Sequence, residues 1–218
     1  MHKTLSTLFI GAASVCASFH LSAHEYMFTY SKLYSQMKSN ASEGHDDVKI
    51  AFFFVNAQNK NLCPINKAWM EKEQHYERLK VSENHELLVP IDSNLRQANP
   101  LVFVDTPQEL RCDFSMVVMT KQSLQGRVTA NEMARILPQM QTLLEDLGGM
   151  FASWFTPEVK GLTFEFTDIS SGEVVLSEGH SVPITNGKAQ VLLSQLQGGY
   201  LTLPAETSRV LPYLPDAD

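Results

Sequence analysis

The residues of this chain best suited to covalent or metal chemistry are its cysteines and histidines. Cys63 and Cys112 lie far inside the 218-residue chain, whereas Cys16 lies in an apolar N-terminal segment. Two cysteines in an exported protein usually pair, so we expect a structural Cys63–Cys112 disulfide. The alternative, a reactive thiol or a metal-binding thiolate pair, lacks the Cys-x-x-Cys spacing typical of such sites.

Residues 1–23 have the order of a secretory signal peptide. A positive start at Lys3 precedes an apolar run over residues 5–19, and Leu21-Ser22-Ala23 precedes His24. The run is shorter than the roughly 20 residues that span a bilayer, and no second run reaches that length. We therefore expect cleavage after Ala23, export to an oxidising compartment and no membrane span after cleavage. Val15 stands where a small residue would precede a lipidated Cys16, which argues against a lipoprotein.

Cleavage after Ala23 would make His24 the first residue of the mature protein. An α-amino group and an imidazole on one residue can chelate copper, with a further histidine completing the site. The candidates for that second ligand are His45, His75, His85 and His180. The alternative is that His24 begins a frayed terminus without a metal.

Several carboxylates lie close together near the middle of the first half of the chain. Glu71, Glu73 and Glu77 could pair for acid–base catalysis, but Lys72 and Arg78 are interleaved with them. Such mixed charge is typical of a solvated surface. A hydrolase with dispersed active-site residues stays open as an alternative.

The remaining motifs are weaker. The chain has no Gly-x-Ser-x-Gly, His-Glu-x-x-His, phosphate-binding Gly-rich loop or dinucleotide fingerprint. Trp69 and Trp154 could form a sugar-stacking surface, although aromatic anchors of the core are the commoner role. The loop 43–47 offers oxygen and imidazole ligands at no known metal spacing.

The charge balance limits the class of partner. The formal net charge is −7, and no run of Lys and Arg opposes it. Broad binding to nucleic acid or to anionic lipid is therefore disfavoured. A protein of the cell envelope is the partner that we expect.

Residues 24–120 are predicted to form a β-rich unit with the disulfide. Apolar residues at helical spacing predict a short helix over Tyr30–Met37, and the continuous apolar run Val48–Val55 predicts a central strand. A turn is predicted at Gln58–Asn61. Further strands are predicted at Ile65–Met70, Glu86–Ile91, Leu101–Val104 and Phe114–Met119.

Residues 121–160 are predicted to be a helical connector packed on the β units. Thr129 and Glu132 form a capping box at the start of an apolar stripe that runs toward Phe155. Pro138 bends this helix, or the helix begins nearer to it. A stripe of this width favours a core face over a partner groove.

Residues 161–218 are predicted to form a second small β unit. Leu162–Phe166 alternates, Ser171-Gly172 predicts a turn, and Asn186-Gly187 predicts a two-residue hairpin. The fold class is therefore α+β, mostly β, with two small antiparallel β units and an intervening amphipathic helix.

Four segments resemble a family of uncharacterised exported gammaproteobacterial proteins, a domain of unknown function. They are Tyr30–Tyr34, Lys67–Glu73, Cys112–Met119 and Leu144–Phe155. The likeness extends over about Met27 to Pro215. It implies a periplasmic address and brings no activity, ligand or catalytic residue.

From these features we expect a periplasmic, non-catalytic binding or accessory protein of the Gram-negative envelope. The alternatives are a copper-binding protein that uses His24 and a hydrolase. Because no acid, base and nucleophile converge in the sequence, it predicts no catalytic or cofactor-binding residue.

Overall fold

The computed structural model describes residues 24–148 and 156–215. This part of the chain is mostly β with few helices, which confirms the predicted class, and its strands form three antiparallel sheets. The strands are β1 (His24–Thr29), β2 (Val48–Asn56), β3 (Lys67–Lys72), β4 (His75–Arg78), β5 (Lys80–Val81), β6 (Leu87–Leu88), β7 (Leu101–Thr106), β8 (Cys112–Thr120), β9 (Arg127–Thr129), β10 (Gly161–Glu165), β11 (Ser171–Leu176), β12 (Ser181–Thr185), β13 (Lys188–Leu192), β14 (Tyr200–Thr202) and β15 (Arg209–Tyr213). The helices are α1 (Tyr30–Met37), α2 (Ser93–Ala98) and α3 (Ala130–Gly148), with short 3-10 helices at Lys38–Ala41 and Leu193–Leu196.

The first two sheets pack face to face. The first has the order β1-β7-β3-β4 and the second the order β5-β6-β2-β8. Aromatic rings fill the space between them: Tyr26 lies 4.8 Å from Phe54, and Phe28 lies 4.7 Å from Phe114. Offset and tilted pairs of this kind add to the stabilisation from burial alone.

The apolar run of β2 is buried on both faces, as predicted for a central strand. Phe52 and Phe54 face the main core, whereas Ala51 and Phe53 form a second cluster with Met119. Leu211 of β15 packs on this second cluster, and the Arg209 guanidinium lies 4.8 Å from the Phe53 ring. The C-terminal strand therefore covers the outer face of the second sheet.

The third sheet has the order β15-β10-β13-β12-β11-β14-β9. Asn186 and Gly187 both have positive φ, +52° and +74°, and join β12 to β13 as the predicted hairpin. The turn predicted at Ser171-Gly172 is wrong, because both residues begin β11 and pair with Thr185 and Ile184. Gly172 has φ +153°, a conformation that residues with a side chain rarely adopt and that glycine adopts without strain.

Helix α3 begins at Ala130, directly after Thr129, the first residue of the predicted capping box. The Glu132 N–H donates to Thr129 Oγ1 at 3.2 Å, and the Thr129 N–H donates to Glu132 Oε2 at 2.7 Å. Pro138 lies inside the helix on its exposed side, where water can reach the carbonyl left without a donor. The alternative of a later start near Pro138 is therefore wrong. The predicted continuation over residues 149–155 lies outside the described residues.

The apolar stripe of α3 is core, as predicted. Its buried members join one cluster with side chains of the first, second and third sheets: Met133, Ile136, Leu137, Met140 and Leu143. Leu144 and Leu147 are only partly buried at the margin of that cluster. Within the two described ranges, none of the helices combines the length and apolarity needed to cross a membrane.

The predicted disulfide is present. Cys63 and Cys112 are both buried, and their Cα atoms are 6.3 Å apart. The bond ties the segment before β3 to the first residue of β8. The Tyr26 hydroxyl donates to the Cys112 carbonyl at 2.5 Å, so this hydrogen bond ties β1 to the start of β8 as well.

Candidate functional site

The outer face of the first sheet carries a row of large side chains. Met27 of β1 pairs with Phe103 of β7, Phe103 pairs with Trp69 of β3, and Trp69 pairs with Arg78 of β4. Directly paired residues point to the same side of a sheet. We call this row and the flanking Tyr76 the aromatic face.

Trp69 is the centre of the aromatic face. Its indole stacks on Phe103 at 5.2 Å with an interplanar angle of 11°, and on Tyr76 at 6.4 Å. Lys67 Nζ lies 4.2 Å from the Trp69 ring, and the indole N–H donates to Glu71 at 3.1 Å. Because neighbours cover the indole, Trp69 serves as an aromatic anchor rather than as a stacking platform for a ligand. Trp154 lies outside the described residues.

A groove of about 360 Å³ lies beside this anchor, between the β3–β4 hairpin and α2. We call it the hairpin groove. Its floor consists of apolar residues: Met70, Leu95, Ala98 and Pro100. Its rim consists of exposed polar residues of the hairpin: Glu71, Lys72, Glu73, His75, Tyr76 and Glu77. The volume is at the low end for ligand pockets and suits a few side chains.

Helix α2 forms one wall of the groove and is fixed at both ends. Asp92 caps its N-terminus by accepting from the Asn94 and Leu95 N–H groups at 2.6 and 3.1 Å. At its C-terminus Asn99 has φ +49°, and its side chain accepts from the Ser31 N–H at 2.9 Å. The helix is therefore held against α1 rather than left free.

A buried tyrosine holds the segment that leads into α2. The Tyr30 hydroxyl donates to the Pro90 carbonyl at 2.7 Å and accepts from the Asp92 N–H at 2.9 Å. Burial raises the pKa of this phenol, so it stays protonated at neutral pH and keeps its donor. Residues of α1 thus set the position of the groove wall.

The rim of the groove is predominantly acidic. Glu71, Glu73 and Glu77 supply carboxylates, whereas Lys72 directs its ammonium to the Ala98 carbonyl at 2.5 Å. Glu73 has φ +56°, a conformation that Gly or Asn adopts more readily than Glu. Three glutamates and one lysine therefore line the groove, which gives its rim a net negative formal charge.

The structure brings together the three carboxylates that the sequence singled out. They line one groove, and each of the three side chains is solvent-exposed, which is typical of a charged surface. The floor residues Leu95, Ala98 and Pro100 were not anticipated. The signal for them was the capping sequence at Asp92, which marks the start of a short helix.

The histidines considered for copper lie in different elements. His24 begins β1 and His75 begins β4, at opposite edges of the first sheet, so about 14 Å of sheet separates the two strands. His85 and His180 lie in connections, and His45 is buried with its Nδ1 lacking a hydrogen-bond partner among the described residues. The described ranges contain no group of three or more His, Cys, Asp or Glu residues placed to hold a metal.

A larger groove, of about 680 Å³, runs beside Pro138 of α3 and Leu192 of β13. Its lining contains one carboxylate, Glu158, and one ammonium, Lys160. Because these two charges cancel, they do not indicate the charge of a ligand. The hairpin groove is the better candidate because its lining residues carry a net negative formal charge.

A comparison with protein families places the hairpin groove within a matched region. The family model described as "Protein of unknown function (DUF2987)" matches residues 22–166, which is more than half of the chain. The matched region includes the disulfide and the first two sheets. Comparisons with curated proteins and with solved structures give no match.

Proposed function

We propose, from the premise that this chain belongs to the DUF2987 family of proteins of unknown function, that it is a binding protein of the Gram-negative cell envelope. In this proposal it is exported to the periplasm and acts without catalysis. Its ligand is a basic and apolar segment of another envelope protein, which it holds in the hairpin groove.

The observation that carries the proposal is the pairing of an apolar floor with an acidic rim. Met70, Leu95 and Pro100 offer apolar contact area, and Glu71, Glu73 and Glu77 line the same groove. An opposite charge on the partner steers association and fixes the register of the bound segment. A segment with alternating apolar and Lys or Arg side chains satisfies both parts.

The groove is also preorganised, which reduces the entropy lost on binding. Trp69 is stacked between Phe103 and Tyr76, and its N–H holds the Glu71 carboxylate. On the opposite wall Asp92 and Asn99 fix both ends of α2. The partner therefore meets a formed surface rather than one that must fold around it.

Export is supported by two independent features. Residues 1–23 have the charge, apolar run and cleavage-site order of a signal peptide. The Cys63–Cys112 disulfide is of a kind that persists in oxidising compartments. Export of this protein to the periplasm accounts for both features.

Site-specific photocrosslinking in cells tests the proposed function. A photoreactive phenylalanine analogue replaces Tyr76, which is 54% exposed on the groove rim, or Val175, which is 48% exposed on the third sheet. We expect a crosslinked partner at position 76, with the modified peptide rich in apolar and basic residues. We expect no such adduct at position 175.

The yield of the adduct at each position and the composition of the crosslinked peptide decide the outcome. Adducts of the same partner at equal yield from both positions would show that the groove has no special role. A crosslinked peptide of acidic composition would contradict the proposed ligand chemistry. Adding the substitutions Glu73→Gln and Glu77→Gln to the position-76 variant should reduce the yield.

A further inference from the structure

Strand β1 is an open edge of the first sheet. Among the described residues its ladder partner is β7, and no strand pairs with its other side. Natural edge strands are usually blunted by Lys, Pro, a bulge or short length. β1 is six residues long, contains neither Lys nor Pro, and pairs residue for residue with β7. β4, at the other edge, is shorter and carries Glu77 and Arg78.

The main chain of β1 presents unpaired groups on this open side. The Tyr30 N–H donates to the Pro100 carbonyl, which fixes the phase of the β1–β7 ladder. Because antiparallel ladders alternate, Tyr26 and Phe28 direct their main-chain groups to β7. The main-chain N–H groups of Glu25, Met27 and Thr29 therefore face away from it.

We propose that a second copy of this chain adds its own β1 along this edge, antiparallel and about a two-fold axis at Met27. The two Met27 residues then face each other and exchange main-chain hydrogen bonds in both directions. The result is one continuous sheet of the order β4-β3-β7-β1-β1-β7-β3-β4. A two-fold contact of this kind is closed and limits assembly to a dimer.

The outer face of β1 is self-complementary in this register. Met27, which is 62% exposed, lies beside the partner's Met27, so two exposed apolar side chains cover each other. Glu25 lies opposite the partner's Thr29, so like charges do not meet. The Thr29 N–H can donate to the partner's Glu25 carbonyl.

The inner face of β1 agrees with the same register. Tyr26 lies beside the partner's Phe28, and the reverse pair forms on the other side of the axis. Both rings are only partly buried in the single chain although they pack on Phe54. Cross-strand aromatic pairs of this kind stabilise a sheet. The dimer would complete the burial of both rings.

The dimer contact is separate from the hairpin groove. β1 and β4 are opposite edges of the sheet, so the two grooves of a dimer lie at its far ends, about 34 Å apart. Loss of the dimer would leave each groove intact, and loss of the groove would leave the dimer intact. The two proposals therefore fail independently.

Sedimentation equilibrium on the exported protein tests the dimer with two charge variants at one position. Thr29→Glu sets a carboxylate opposite the partner's Glu25, and Thr29→Lys sets an ammonium there. The Thr29 side chain makes no cap bond to α1, so neither change removes one. We expect Thr29→Glu to raise the dimer dissociation constant about fivefold and Thr29→Lys to lower it about fivefold. The same pair of changes at the exposed Gln108 is the control and should have no effect.

Met27→Pro removes an outward N–H without removing a bond to β7, and it should abolish the dimer while the fold remains. If this variant fails to fold by circular dichroism, the two Thr29 variants decide the question. A single monomer mass at all concentrations overturns the proposal. A dimer whose dissociation constant is unmoved by both Thr29 variants also overturns it, because the contact would then lie elsewhere.

Discussion

Arg209 of β15 and Glu165 of β10 lie directly opposite each other in the third sheet and form a buried ion pair. Arg209 Nε donates to Glu165 Oε2 at 2.7 Å, and a second guanidinium nitrogen contacts the same oxygen. The Glu165 side chain is 7% exposed, and its other oxygen lies 2.8 Å from Lys188 Nζ. The Arg209 guanidinium also covers Phe53, so one charge network joins the third sheet to the second.

This network predicts unequal effects for its two cations. Arg209 is 11% exposed and Lys188 is 56% exposed. Arg209→Met should lower the free energy of unfolding by about 3 kcal/mol, because it removes the buried partner of a buried carboxylate. Lys188→Met should cost less than about 1 kcal/mol, because its charge is solvated. Urea unfolding of both variants measures the difference, and equal losses would contradict this assignment.

The stripe of α3 gives a second prediction. Leu143 is fully buried and Thr142, beside it, is exposed. Leu143→Asp places an unpaired charge in the core and should leave the protein unfolded or insoluble. Thr142→Asp should keep soluble expression and a melting temperature close to that of the wild type. A Leu143→Asp variant that melts normally would mean that this face is not core.

The disulfide gives a third prediction. The bond joins cysteines 49 residues apart and ties the segment before β3 to β8. Cys63→Ser with Cys112→Ser should lower the free energy of unfolding by about 2–4 kcal/mol. Non-reducing mass spectrometry of the native protein should find the two cysteine peptides linked. Free alkylation of both thiols in the native protein would contradict the bond.

Copper chelation by His24 at the predicted mature N-terminus, the alternative to a frayed terminus without a metal, has a test of its own. If an amino-terminal chelate forms, Cu²⁺ titration of the mature protein should show a tight site. One extra residue before His24 moves the amino group and should abolish that site. Unchanged affinity in the extended protein, or no tight site in the mature protein, would remove the chelate as an explanation for His24.

Local pattern was sufficient for the elements whose signal lies within a few residues. The spacing of apolar residues over Tyr30–Met37, the continuous run of β2 and the Asn186-Gly187 turn each predicted the element found there. Thr129 and Glu132 predicted the start of α3 because a capping box is complete within four residues.

The parts that were not predicted depend on contacts between distant residues. Tyr26 and Phe28 of β1 point inward, but β1 has only six residues between the predicted leader and a helix, so the alternation is short. Glu165 and Arg209 meet only because β10 pairs with β15. The hairpin groove needs α2 to lie beside β3 and β4, and a six-residue helix has too few turns to show a period.

The central claim is that the hairpin groove binds a basic and apolar segment. A peptide titration tests this claim most directly, because it distinguishes the effect of the groove's carboxylates from the effect of the protein's net charge. The probe is an extended peptide of alternating Leu and Lys, and its counterpart has Glu in place of Lys. The rim variant neutralises the three groove glutamates by Glu71→Gln, Glu73→Gln and Glu77→Gln. The control variant removes the same charge at exposed sites elsewhere by Glu109→Gln, Glu173→Gln and Glu178→Gln.

We expect the wild type and the control variant to bind the Leu/Lys peptide equally, with an affinity that falls as salt rises, and neither to bind the Leu/Glu peptide. The rim variant should bind the Leu/Lys peptide about tenfold more weakly, since each exposed carboxylate contributes a few tenths of a kcal/mol to 1 kcal/mol. Equal weakening in the rim and control variants would mean that net charge alone attracts the peptide, and the hairpin groove would not be the binding site.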